Sequence, residues 1–217
     1  MSARARRRSR GIRFSRRELG DLAVAWVALG VAFTIFLNPQ LLRGLLAGVI
    51  EAGAVTRLFA LSMLTVGTGF LLHELAHKVV AVRFGQRAAF RADYGMLFLA
   101  VVAASAGFLF AAPGAVYHRG RVTERENGLI ALAGPLVNVA LAALFFPLAS
   151  APGFLGDVGS LGAFINVLLA AFNMIPFGPL DGRKVLAWNK AVFAVVAVST
   201  GAAAVVLLFG FVPVDLL

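Results

Sequence analysis

Long apolar stretches, separated by short polar segments, make up most of the chain from residue 21 onward. The apolar stretches are Asp21–Leu37, Leu58–Val82, Tyr94–Val116, Leu129–Leu148, Leu161–Trp188 and Ala191–Phe211. A helix that crosses the hydrocarbon core of a bilayer needs about 17–25 apolar residues. The pattern therefore predicts a chain that passes through a membrane several times. Residues 40–56 are open to two interpretations, a surface helix or an extension of the first span, because Arg43 and Glu51 interrupt their apolar residues.

The composition supports a membrane setting. Apolar residues make up 60% of the 217 residues and charged residues 14%, against about 45–50% and about 25% in an ordinary soluble domain. A soluble fold of this size exposes a large share of its surface to water and could not hide so much apolar area. The expected fold class is an all-α polytopic membrane protein, with the lipid bilayer as its solvent.

The net charge of +10 is concentrated at the N-terminus, where eight arginines fall within the first seventeen residues. A basic block directly before an apolar span is typical of a cytoplasmic end. We therefore predict a basic cytoplasmic tail over residues 1–18 and one membrane-embedded domain over residues 19–217, located in the cell membrane. Nucleic-acid binding is not expected, because no folded basic surface accompanies the tail.

The sequence His73-Glu74-Leu75-Ala76-His77 carries the strongest chemical signal. Residues i and i+4 of a helix lie on one face, so His73 and His77 can reach one metal ion. Glu74 lies beside them as a candidate general base, which is the HExxH arrangement of zinc hydrolases. The pattern arises by chance in about one chain in a thousand of this composition, and ionisable residues within a span are costly and usually functional.

A catalytic zinc needs a third protein ligand and an open position. The chain has no cysteine, so this ligand must be a histidine or a carboxylate. His118 and Glu126 fall in a charge cluster typical of a solvated loop, and Asp157 falls in a short loop expected on the opposite side. Asp181 is favoured, because nearby prolines must open the backbone and open backbone at membrane depth requires a protein-lined or water-lined cavity. The alternative is that Pro-Leu-Asp-Gly is only a turn at the end of a span.

These motifs resemble the site-2 protease family of intramembrane zinc metalloproteases. The family carries HExxH on one span and an Asn-x-x-Pro…Asp-Gly segment on a later one, here Asn173–Gly182, with a small-residue segment between them, here Ala133–Asn138. The resemblance covers about residues 60–190 and implies Asp181 as the third zinc ligand. It also implies that Asn173 contacts the substrate backbone or the developing oxyanion, although Asn173 could equally cap a broken helix. PDZ and CBS domains, which many relatives carry, are not evident.

A shared metal requires His73, His77 and Asp181 to lie at one membrane depth, which constrains the topology. The two helices that carry them must run in the same direction, so an even number of crossings must separate them. Residues 94–116 are therefore predicted to be a re-entrant segment, as a hairpin, and the chain to have five spans. A re-entrant strand could pair with an extended substrate segment through backbone hydrogen bonds.

The expected function is hydrolysis of a peptide bond within, or next to, a transmembrane segment of a membrane-protein substrate. The expected cofactor is one Zn²⁺ per chain, and Glu74 is the expected catalytic base toward a zinc-activated water. Two alternatives come from other classes. One is a non-proteolytic metal-binding membrane protein or transporter, although transporters usually show repeats that this chain lacks. The other is an HExxH membrane peptidase that acts on soluble chains.

Overall fold

The computed structural model describes residues 11–40, 44, 47–49, 51–108 and 113–210. Five of its helices are long and apolar enough to cross a membrane. Their ranges, with directly continuing helical turns included, are Arg16–Leu37, Ala52–Arg83, Glu124–Ser150, Phe154–Asn173 and Lys190–Phe209. The prediction of an all-α polytopic membrane protein with about five spans is confirmed.

Helix α1 (Arg16–Leu37) begins inside the stretch predicted as a polar tail. Ser15 caps its N-terminus, because the Ser15 hydroxyl accepts a hydrogen bond from Glu18 N at 3.1 Å. Glu18 and Asp21, although charged, are buried in the first turns of α1. The folded part of the chain thus starts earlier than residue 19, while residues 1–10 of the predicted tail lie outside the described residues.

The second span is a continuous helical run made of α2 (Ala52–Ser62), a π-helical turn at Met63–Gly67 and α3 (Thr68–Arg83). A π-turn leaves carbonyl groups without their usual partners. Here the Met63 carbonyl accepts hydrogen bonds from Trp26 Nε1 at 3.1 Å and from Thr68 Oγ1 at 3.0 Å. From Ala52 onward, the segment left open in the sequence belongs to this span. Arg43 and Ile50 lie outside the described residues.

The segment predicted as a re-entrant hairpin is mainly helical. Helix α4 (Tyr94–Ser105) occupies most of its described part, and residues 109–112 lie outside the described residues. The two strands lie on either side of α4, as β1 (Arg87–Ala92) and β2 (Gly114–Arg119). The hairpin prediction was therefore wrong in placing both strands within the segment, since β1 precedes it and only the first three residues of β2 fall inside it. The reason is local, because Asp93 caps α4 by accepting a hydrogen bond from Met96 N at 3.0 Å.

Strands β1 and β2 pair in antiparallel register, from Arg87 opposite Arg119 to Ala92 opposite Gly114. This pairing brings the two ends of the α4 segment together. The 12 residues of α4 extend about 18 Å at 1.5 Å per residue, well short of a hydrocarbon core of about 30 Å. The segment thus leaves and returns at one end of the molecule, as the topology prediction required.

The C-terminal half begins with α5 (Glu124–Phe145), which starts at a Thr123–Glu126 capping box and continues into a 3₁₀ turn. Helix α6 (Phe154–Asn173) follows, then α7 (Asp181–Trp188) and α8 (Lys190–Gly210). The apolar run predicted over Leu161–Trp188 is therefore split. It opens between α6 and α7 around Pro176 and Pro179, as expected from residues that cannot continue helical hydrogen bonding.

Two buried apolar clusters hold the N-terminal helices and α6 together. One joins α1, α3, β1 and α4, and the other joins α1, α2, the π-turn and α6. Their buried members are Leu22, Ala25, Leu29, Phe70, Phe90 and Leu97 in the first, and Phe33, Leu61, Val66, Val158, Leu161 and Ile165 in the second. The first cluster packs against one side of α3 through Phe70, and the polar residues in the middle of α3 are buried within the bundle as well.

Candidate metal centre and active site

His73 and His77 lie one turn apart on α3, with their imidazoles turned to the same interior point. Their Nε2 atoms are 2.9 Å apart, and both residues are buried. The helical spacing of the motif thus produces the convergence that its sequence predicted.

Asp181, the first residue of α7, brings a carboxylate to the same point. Its Oδ2 atom lies 3.3 Å from His73 Nε2 and 3.1 Å from His77 Nε2. The start of α7 can pack this closely against the backbone that follows α6 because residue 182 is a glycine. A Cβ at that position would overlap the Met174 carbonyl oxygen. Among the described residues, these three side chains form the one group of histidines and carboxylates close enough together to hold a metal ion.

The outer nitrogens of both imidazoles are held by oxygen acceptors. His73 Nδ1 lies 2.6 Å from Asn138 Oδ1, and His77 Nδ1 lies 2.7 Å from the Ile130 carbonyl oxygen. A carbonyl oxygen can only accept, so each Nδ1 carries the proton and each Nε2 presents its lone pair to the shared point. This is the tautomer that a metal ligand needs.

The spacing of the three inward atoms fits a small divalent cation. Two atoms bound tetrahedrally to Zn²⁺ at about 2.0–2.1 Å lie about 3.3 Å apart. The separations here, 2.9, 3.3 and 3.1 Å, are close to that value. Two imidazoles and one carboxylate match the ligands that zinc uses in catalytic sites, and they leave a fourth position for water or substrate. The residues present therefore fit a zinc ion.

An asparagine relay between helices orients His73. Asn138 Nδ2 donates to the Gly69 carbonyl oxygen at 3.2 Å and to Asn166 Oδ1 at 2.8 Å. Asn166 in turn donates to the Gly162 carbonyl oxygen at 2.9 Å. Because both donors of the Asn138 amide are used, its oxygen must point toward His73. Both asparagines are fully buried.

We expect Asn138→Ala to weaken zinc binding by about 10-fold to 100-fold, as loss of a hydrogen-bond partner of a metal ligand typically does. Chelator competition on the purified protein measures this affinity. Asn173→Ala is the matched control, because among the described residues Asn173 Nδ2 bonds the Leu169 carbonyl oxygen of its own helix, at 2.9 Å, and neither histidine. Unchanged affinity in Asn138→Ala would show that the relay does not orient His73.

Gly134 makes room for the two imidazoles on the side facing α5. A Cβ at this position would lie 2.5 Å from His73 Cε1 and 2.6 Å from His77 Cε1. The small-residue segment Ala133–Asn138 thus supplies both the close approach of α5 and the asparagine partner of His73.

Glu74 is buried beside the histidines, on the face of α3 toward the sheet. Its Oε2 atom accepts a hydrogen bond from Val116 N in β2 at 3.0 Å. The candidate base thus contacts the edge of β2 that faces away from β1. A carboxylate at this place can exchange a proton with a water or a substrate group that reaches the metal centre.

The other residues considered as third ligands have different roles. Asp157 pairs with Arg57 across α2 and α6, and Glu126 completes the capping box of α5. His118 is half-buried in β2 and does not lie in a solvated loop as predicted. Burial and the nearby Lys184 ammonium lower the pKa of His118. Asn173, at the end of α6, makes the hydrogen bond to the Leu169 carbonyl oxygen described above, and its contact with the substrate backbone or the oxyanion stays a prediction.

Sequence reasoning missed Asn166, Glu18 and Lys78, and assigned Asn138 no role. The signal for the asparagines was a lone amide within an apolar span, where polar groups are costly and need partners. Glu18 was hidden among the charges of the N-terminal region. The signal for it was Ser15-x-x-Glu18 directly before an apolar run, a helix-start pattern that places Glu18 inside α1.

The fold and the site together describe a multi-pass membrane protein with a buried candidate metal centre, formed by two histidines of one helix and an aspartate of a later helix. The relatives of known class are named as zinc metalloproteases. The chain is 42% identical over 189 residues to "Putative zinc metalloprotease MJ0611" of Methanocaldococcus jannaschii, a match that covers 85% of this chain and 91% of that protein. The chain belongs to the site-2 protease family of zinc metalloproteases.

Two further relatives match shorter regions. "Putative zinc metalloprotease YwhC" of Bacillus subtilis is 30% identical over 145 residues, or 57% of this chain and 66% of that protein. "Putative zinc metalloprotease Rip3" of Mycobacterium tuberculosis is 33% identical over 122 residues, or 54% of this chain and 27% of that protein. No protein-family model matches the chain, and no solved structure matches it significantly.

Proposed function

We propose that this metalloprotease hydrolyses a peptide bond within, or next to, a transmembrane segment of a membrane-protein substrate. The observation that carries the proposal is the position of the candidate metal centre. Its two histidines belong to a helix long enough to cross a membrane, and all three candidate ligands are buried between helices. A bond cut at this centre has to be brought into the helical bundle.

In this proposal one Zn²⁺ per chain is held by His73, His77 and Asp181. When bound, zinc lowers the pKa of a coordinated water and polarises a carbonyl group. Glu74 acts as the general base, taking a proton from the attacking water and passing it to the leaving amine. Asn138 and the Ile130 carbonyl oxygen keep the two imidazoles in the required tautomer through the hydrogen bonds to Nδ1.

The outer edge of β2 suggests how a substrate is held. Within the described part of the chain, β2 pairs only with β1, and its other edge contacts Glu74 through Val116 N. An extended peptide that adds to this edge gains backbone hydrogen bonds and lies beside the candidate base. A helix keeps its carbonyls in internal hydrogen bonds, so the substrate has to unwind locally before it can bind in this way.

We further propose that the protein lies in the cell membrane with its N-terminus in the cytoplasm. The basic N-terminal segment supports this orientation through the positive-inside tendency. Exposed cations also lie on the segments at the sheet end of the bundle, at Arg87, Arg119, Arg121 and Arg183. The metal centre would then lie toward the cytoplasmic side of the membrane.

The proposal is tested with the purified protein in liposomes and two single-span fusion proteins. Their transmembrane segments differ only by an Asn-Gly pair in place of Leu-Leu. We expect the Asn-Gly segment to be cut about tenfold faster, since glycine alone weakens a helix by about 1 kcal/mol. A zinc chelator should stop cleavage and added zinc should restore it. Cleavage of unfolded casein, with neither fusion cut, would contradict an intramembrane substrate.

A further inference from the structure

A fully buried ion pair connects the N-terminal turn of α1 to α3, the helix that carries the two histidines and Glu74. Lys78 Nζ lies 2.6 Å from Glu18 Oε1, and Lys78 and Glu18 are 0% and 1% exposed. Lys78 also donates to the Arg13 carbonyl oxygen at 2.7 Å and lies 3.6 Å from the centre of the Phe14 ring. Removing two charges from water is costly, so a pair with this many partners is well placed to hold the elements it joins in one arrangement.

Glu18 also holds the sheet. The same Oε1 atom accepts a hydrogen bond from Phe90 N in β1 at 3.0 Å. Phe90 is directly opposite Val116 in the register, and Val116 N donates to Glu74 at 3.0 Å. In an antiparallel pair, such outward-pointing N–H groups belong to a non-hydrogen-bonded pair of residues. Glu18 therefore accepts a hydrogen bond from the outer edge of β1, and Glu74 accepts one from the outer edge of β2, at the same level of the sheet.

The contacts close into a ring. Glu74 and Lys78 lie one turn apart on α3, Lys78 pairs with Glu18, Glu18 holds Phe90, and Val116 returns to Glu74. Asp21, one turn after Glu18, makes a second connection from α1. Its carboxylate accepts a hydrogen bond from Tyr94 Oη, at the start of α4, at 2.8 Å. The contacts that hold β2 beside the candidate base thus include contacts to α1, which contributes no group to the candidate metal centre.

We propose that Glu18 is a positioning residue for proteolysis, which sets the distance between Glu74 and the substrate-binding edge of β2 by accepting the Phe90 N–H. The proposal rests on the proposed function, in which Glu74 is the base and β2 receives the substrate. A pair that served stability alone would be replaceable by any pair that folds. A positioning role requires an oxygen acceptor at residue 18.

Two double variants separate these roles. Glu18→Gln with Lys78→Met removes both charges and keeps an acceptor for Phe90 N–H. Glu18→Met with Lys78→Met removes both charges and the acceptor. We expect the first to cleave the Asn-Gly fusion within about threefold of wild type, and the second to lose about 10-fold to 100-fold in kcat with KM little changed. Both should keep the wild-type zinc content. Equal kcat in the two variants would overturn the proposal.

A charge reversal covers the case in which the Met-Met variant does not fold. Glu18→Lys with Lys78→Glu keeps an ion pair but places a donor opposite Phe90 N–H. We expect this variant to fold and bind zinc, with a loss of kcat comparable to that of the Met-Met variant. Cleavage at the wild-type rate would show that the ion pair alone is sufficient and would refute a positioning role.

Hydrogen–deuterium exchange tests the mechanical link without any substrate. Exchange of the Val116 amide should be about tenfold faster in the charge-reversed variant than in the Gln-Met variant. If wild type cuts neither fusion, the proposed function fails, and this difference in exchange still decides whether Glu18 positions β2. Equal exchange in the two variants would refute the positioning of β2 by Glu18, whatever the cleavage rates.

Discussion

Glu74→Gln is expected to keep its zinc and lose about 10²-fold to 10⁴-fold of its cleavage rate, the range that general acid–base catalysis contributes. Glutamine has the same shape, and its oxygen can still accept the hydrogen bond that Val116 N donates to Glu74 Oε2 at 3.0 Å. It cannot take a proton from water. The fold, the metal centre and the edge of β2 should therefore remain while the chemical step is lost.

The rate is measured with the Asn-Gly fusion in liposomes, and zinc by elemental analysis of the same preparation. Glu124→Gln is the matched control, since Glu124 is an exposed residue in the first turn of α5. It should cleave like wild type. Cleavage by Glu74→Gln at the rate of this control would remove Glu74 from the role of base. Loss of zinc in Glu74→Gln would instead assign Glu74 to the metal.

The core of the candidate site could be predicted from the sequence because its geometry is mostly local. His73 and His77 converge through helical spacing alone, and Glu74 comes with them. Asp181 was harder, since it lies more than a hundred residues away. Two prolines and a glycine around it nonetheless indicated where backbone had to open and a side chain could enter the bundle.

The partners of the histidines could not be predicted in the same way. Asn138 reaches His73 only because α5 approaches α3 closely at Gly134, and Asn166 supports it from a third helix. Such contacts depend on the rotation and depth of three helices. Hydrophobic periodicity in single spans does not determine these quantities, because a span that is apolar on all sides has no preferred face.

The helix between β1 and β2 could not be predicted from the sequence for a different reason. Its run of Gly, Ala and Val residues is compatible with a strand or a helix, and periodicity does not separate the two in short apolar runs. Asp93, a cap residue directly before the run, was the local signal for helix α4. Glu18 was missed because its partners Lys78 and Phe90 are 60 and 72 residues away.

Asp181→Ala is expected to have the second large effect, loss of bound zinc. The Asp181 carboxylate lies within 3.3 Å of both imidazole Nε2 atoms and is the third group of the candidate set. Two imidazoles alone form an incomplete site, since catalytic zinc generally uses three protein ligands. His73→Ala should lose zinc in the same way, because it too leaves two ligands.

The most direct measurement is the zinc content of the detergent-purified wild-type protein, compared with Asp181→Ala and with the control Asp157→Ala. We expect about one zinc per chain in wild type and in Asp157→Ala, and much less in Asp181→Ala. That result would establish one metal site built from α3 and α7. Zinc unaffected by Asp181→Ala, or a folded wild type without zinc, would contradict the site and the proteolytic mechanism built on it.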